Sequence, residues 1–133
     1  MIDDLITDGT AAEDTAIILE FIKRKLILGC TSPKTLMDIY YLFHSEKGAT
    51  VANRRVKQIY ALMDITAQTA QEVREAFALG WTDFEDAMQM TSAKSAGAFN
   101  LITLDKKFLN IDKAYLWTPA DLRGYLIQHV RNS

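Results

Sequence analysis

Four short apolar runs, Leu26 to Thr31, Met63 to Thr66, Ala98 to Thr103 and Ala114 to Trp117, punctuate a chain whose remaining periodicity is helical. Most are separated by one or two helical patterns rather than by a hairpin turn, and strands joined through helices run parallel. Parallel strands are covered on both faces, which suits runs as apolar as Leu26 to Thr31 and Ala98 to Thr103. The alternation therefore predicts an α/β domain with a mainly parallel sheet, in which ligands bind beyond the carboxyl ends of the strands.

The helices are marked by their ends as well as their faces. Between Ala11 and Lys25 the residues Ala12, Ala16, Leu19, Ile22 and Leu26 fall on one side, with Glu13, Glu20, Lys23 and Arg24 mostly elsewhere. Ser32 followed by Pro33 gives an N-cap with proline at the first helical position, opening a helix to about His44 whose apolar face is Leu36, Ile39, Tyr40 and Phe43. Gly48 breaks the pattern before a helix from about Thr50 to Leu62. A helix from Thr69 to Leu79 stops at Gly80, where a left-handed residue is easy for glycine. Thr82 followed by Glu85 has the capping-box spacing and opens a helix to about Ala96. Thr118 and Asp121 cap a last helix from Pro119 to His129.

At 133 residues, without a linker, repeat or low-complexity stretch, the chain is expected to be a single domain over 1–133. Its 17 acidic against 15 basic residues leave no overall basic field, so any nucleic acid must be held by a local patch. One cysteine, Cys30, and two isolated histidines, His44 and His129, exclude a disulfide framework and a multi-Cys zinc site. A reducing cytoplasm is the expected compartment. The acidic start and the lack of any apolar run near ~20 residues point away from a signal peptide and a membrane span.

Three aspartates stand where a strand-end site would be: Asp38 on the helix after the first run, Asp86 near the start of a helix, and Asp105 just after the third run. Clustered carboxylates suit Mg²⁺ or Mn²⁺, hard cations that take oxygen ligands. The same acids also fit the plainer role of solvated or helix-capping residues. Lys106 and Lys107 are the basic residues expected beside the acids. Lys23 to Lys25 and the Arg54, Arg55, Lys57 group read more simply as solvated helix faces. Thr103 can bond a carboxylate or a scissile phosphate, or equally its own backbone. Tyr40, Tyr41 and Phe43 read as core or interface, and His44 and Cys30 as structural.

The wording around these acids carries a resemblance. Thr82 to Gln89, then Leu101 to Lys107, then Thr118 to Leu122 resemble the C-terminal half of a PIN domain, and Thr31 to Tyr41 is similar to its second strand and following helix. The resemblance, closest in kind to the VapC-like toxin ribonucleases, covers nearly the whole chain. It implies a three-layer α/β/α fold and a small metal-dependent nuclease, the toxin half of a toxin and antitoxin pair that cuts RNA with Mg²⁺ or Mn²⁺. By the family's pattern Asp38, Asp86 and Asp105 take the second, third and fourth acidic positions as catalytic metal ligands. Asp83, one turn before Asp86, becomes an accessory ligand, and Lys106 and Thr103 contact substrate.

The first acidic position has no counterpart, because the chain opens on Met1 to Ile6, similar to the segment that follows it. The first strand is accordingly expected to be missing and activity to be at risk, which gives a non-catalytic module binding an antitoxin or itself as the alternative. Asp3 and Asp4 are assigned to the first helix. Without a strand between them, the first and third runs are expected either to pair directly or to share apolar surface in a homo-oligomer.

Overall fold

The computed structural model describes residues 9–103 and 106–131. In chain order the elements are α1 (Gly9–Lys23), β1 (Cys30–Thr31), α2 (Pro33–Lys47), α3 (Ala49–Leu62), β2 (Asp64–Ile65), α4 (Ala70–Ala78), α5 (Phe84–Ser95), β3 (Leu101–Ile102), α6 (Lys106–Leu109), β4 (Leu116–Trp117) and α7 (Pro119–Arg131). They fall into two compact units, Leu28–Phe99 and the described residues of Met1–Ile27 with Asn100–Ser133.

In the unit Leu28–Phe99, β1 and β2 pair in parallel, with Cys30 opposite Asp64 and Thr31 opposite Ile65. The ladder closes through Asp64 N donating to Gly29 O at 3.0 Å and Thr66 N to Thr31 O at 2.9 Å. Helix α2 packs on α3, and α4 on α5. The buried apolar residues here include Ile39, Ala52, Ala76, Ala87, Met90 and Ala93. Small side chains at these contacts let paired helices approach closely.

In the second unit β3 and β4 pair in parallel, Leu101 opposite Leu116 and Ile102 opposite Trp117. Helix α1 packs on α7, and the buried apolar residues are Ile22, Leu101, Phe108, Leu116 and Leu126. Asp14 is buried on α1, where Arg123 of α7 meets it, Nη1 to Oδ1 at 2.9 Å.

The α/β class and the parallel pairing are as the sequence predicts, and the helix boundaries agree to within a few residues. The strands differ. Each ladder is two residues long, so Leu28 and Phe99, placed in strands by their apolarity, lie outside the ladders at 92% and 94% exposure. Apolar character favours burial, but a strand also needs a backbone partner. Asp64 and Ile65, expected in a buried strand, are exposed on a pair with one ladder.

Capping chemistry accounts for the shifted helix starts. The N-cap of α5 is Asp83 rather than Thr82, its Oδ1 accepting from Asp86 N at 3.0 Å. The capping box belongs instead to α4, where Glu72 Oε1 accepts from Thr69 N at 2.7 Å. Gly80 takes the expected left-handed conformation, φ +69°. Leu26 leaves the α1 stripe because the helix ends at Lys23 and Lys25 turns the chain at φ +59°. Among the described residues no helix is long and apolar enough to cross a membrane. Asp3 and Asp4 lie outside the described residues.

Candidate functional site

Helix α2 starts immediately after β1, and its start is built by side chains. Ser32 Oγ accepts from Thr35 N at 3.1 Å, and Pro33 occupies the first turn, where its missing N–H costs nothing. This start puts Lys34 in the first turn and Asp38 one turn further along the same face. Lys34 Nζ donates to Asp38 Oδ2 at 2.6 Å.

Helix α5 brings its own acids. Asp83 caps it, and Glu85 and Asp86 sit in its first turn, where the positive end of the helix dipole favours carboxylates. Glu85 Oε1 lies 3.0 Å from the same Lys34 Nζ, so one ammonium gathers carboxylates from two helices. Hydrogen bonding to Asp38, and then to Glu85, raises the pKa of Lys34 above its ordinary value against the opposing effect of desolvation. Gln68 ties the same helices from another side: its Oε1 accepts from Lys34 N at 3.3 Å and its Nε2 donates to Ser92 Oγ at 3.4 Å.

Asp38 and the α5 acids are thus brought into one unit at one helix junction. Asp86 is half-buried beside Glu85. Asp83 is engaged as the cap, with Oδ1 taken by the Asp86 amide. Asp105 lies outside the described residues. Thr103 and Lys106 belong to the other unit: Thr103 is buried after β3 with its amide donating to Trp117 O at 2.9 Å, and Lys106 opens α6. Glu85 and Gln68 were not among the sequence candidates. The capping-box spacing accounts for Glu85 in the sequence, although it stands between two acids in Asp83-Phe84-Glu85-Asp86; nothing local marks Gln68.

Among the described residues no group of three or more His, Cys, Asp or Glu side chains is placed to hold a metal ion. Two carboxylates from different helices, Asp38 and Glu85, instead meet around one cation, the Lys34 ammonium. Buried hydroxyls add polarity at the ends of β1 and β2: Thr31 Oγ1 and Thr66 Oγ1 have no hydrogen-bond partner among the described residues. Cys30 is exposed, yet partial desolvation and then the charge of Asp64 opposite it push its thiol pKa up, which disfavours the thiolate.

The PIN domain family model matches residues 1–107, a range that includes Asp38, Asp83, Asp86 and Asp105. Curated proteins and solved structures give no match. The match spans most of the chain, and the helices bearing Asp38 and Asp86 meet through Lys34 within it; this chain belongs to the PIN domain family, with the nuclease-like α/β fold that membership carries.

Proposed function

We propose that the chain is a metal-dependent endoribonuclease and the toxin component of a toxin and antitoxin pair. The observation that supports this most is the meeting of Asp38 and Glu85 around one cation, next to Asp86. In this reading Asp38, Asp86 and Asp105 hold Mg²⁺ or Mn²⁺, with Asp83 as an accessory ligand. The ion, when bound, supplies an activated water and neutralises charge on the scissile phosphate and leaving oxygen.

The chain's own residues orient and steer. The Ser32 cap and the Gln68 bridge fix α2 against α5, which sets the position of Asp38 relative to the α5 acids. Asp83 fixes the first turn bearing Asp86. Lys34 neutralises Asp38 and Glu85 until a stronger cation competes, and Lys106 and Thr103 contact the RNA. An antitoxin and a second copy of the chain are the protein partners of this reading.

A fluorogenic single-stranded RNA tests it. With Mn²⁺ the wild-type chain should cleave, and Asp86→Asn should lose at least ~100-fold of that rate with an unchanged thermal melt. Equal cleavage by Asp86→Asn would remove Asp86 from the site. No cleavage by the wild type, with Mn²⁺ bound, would favour the non-catalytic alternative.

A further inference from the structure

We infer that the outward face of α3 is the surface on which a single-stranded RNA docks. The ligand rests on the ribonuclease reading, but the surface stands on its own charge pattern. From Lys47 to Met63 the sequence has Lys47, Arg54, Arg55 and Lys57 and no Asp or Glu, in a chain that is net acidic. Two of the four, Arg54 and Lys57, lie together on one exposed stripe.

Thr50, Asn53, Arg54, Lys57, Gln58 and Ala61 line a shallow surface along α3, at the spacing of one helix face. The face turned away from them carries Ala52, fully buried, so the stripe is what α3 shows to solvent. No ion pair among the described residues engages Arg54 or Lys57. Arg55 is differently placed, with its guanidinium 5.7 Å from the Phe43 ring centroid and Nη1 donating to Gln58 Oε1 at 3.2 Å. Two unneutralised cations on one face therefore meet a polyanion without first breaking a salt bridge, and each phosphate they contact releases a counterion.

Tyr60 favours a nucleic acid over an acidic peptide. It lies one turn from Lys57, at the border of the stripe, and is 64% exposed although it is among the larger apolar side chains of the chain. A ring beside a cation suits a strand that presents phosphates and unpaired bases together, since bases stack on aromatic faces. An acidic peptide uses the cations and leaves the ring idle. The stripe also shares a unit with Asp38, because α3 packs on α2. A strand held there is held by the element pair that carries the second acidic position.

Fluorescence anisotropy with a twelve-nucleotide single-stranded RNA, in EDTA so that nothing is cut, tests the assignment across a salt series. The double substitution Arg54→Gln with Lys57→Gln should weaken binding about tenfold near 100 mM salt and flatten the log–log salt slope by about 1.4, from ~0.7 per phosphate lost. Tyr60→Ala should also weaken binding about tenfold while leaving the slope unchanged, and Tyr60→Phe should bind as the wild type does. Unchanged affinity and slope in the double variant overturn the assignment, as does an absence of RNA binding by the wild type. Poly-glutamate bound as tightly as RNA, with no dependence on Tyr60, would assign the surface to an acidic protein instead. Asp86→Asn, run in parallel, separates the two ideas: it should keep the EDTA binding and lose only Mn²⁺-dependent cleavage. Docking without cleavage by the wild type would leave the surface standing and sink the nuclease reading.

Discussion

Lys34 on α2 and Glu85 on α5 meet at 3.0 Å, while Lys34 also holds Asp38 on its own helix at 2.6 Å. Removing the ammonium leaves two carboxylates with no shared cation. All three side chains are at least a third exposed, so Lys34→Met should cost no more than ~1 kcal/mol of stability. It should bind Mn²⁺ several-fold more tightly than the wild type, measured by calorimetry. Weaker Mn²⁺ binding would mean that Lys34 supports the site rather than competing for it. The sign of its pH effect is also set. A lysine whose folded pKa is raised contributes stability fully present below its unfolded pKa, near ~10.4, and lost as pH climbs through the folded value.

Glu72 titrates in the opposite sense. It is buried, and hydrogen bonds from the Thr69 hydroxyl and amide, together with Ser95 Oγ at 3.2 Å, hold its carboxyl below the usual range. A depressed folded pKa gives stability present above the unfolded pKa and lost as pH falls through the folded one. Urea midpoints should place Glu72→Gln below the wild type at pH 7, with the gap closing as pH drops below about 4. A gap independent of pH would show that shape alone, not charge, matters there. Thr69→Ala, which removes the other half of the box, should cost ~1 kcal/mol.

Although exposed, Cys30 should be slower than a free thiol with iodoacetamide at pH 7.5, because partial desolvation and the charge of Asp64 both disfavour the thiolate. Asp64→Asn should speed the reaction measurably. Alkylation of the wild type at the rate of free cysteine would contradict the pairing of Cys30 opposite Asp64 as the cause.

Ile39 is fully buried in α2, one residue beyond Asp38. Ile39→Ala should cost about 2–5 kcal/mol in chemical denaturation. A loss below ~1 kcal/mol would mean that the α2 face does not pack as described.

Much of this was legible in the sequence, and the failures have separate physical causes. The α2 start was readable because Ser32 and Pro33 act locally. The start of α5 lies one residue beyond the one the sequence suggests, because Thr82 and Asp83 are both good caps and only the geometry shows which oxygen reaches Asp86 N. The same capping-box spacing stands at Thr69 and Glu72 and is legible in the sequence. Strand extent was not legible: Leu28 and Phe99 look like strand residues, yet pairing depends on a backbone partner that the sequence does not name. Asp38 and Asp86 were found from the motif, but Lys34 bridging to Glu85 over fifty positions away depends on how two helices pack, which no local pattern encodes.

Calorimetric titration of Mn²⁺ into the wild type, Asp38→Asn and Asp86→Asn, with circular dichroism confirming that all three are folded, tests the acidic centre most directly. Saturable binding by the wild type, weakened at least tenfold in each variant, is the expected result. Equal Mn²⁺ affinity in the three proteins would contradict a metal centre built from Asp38 and Asp86.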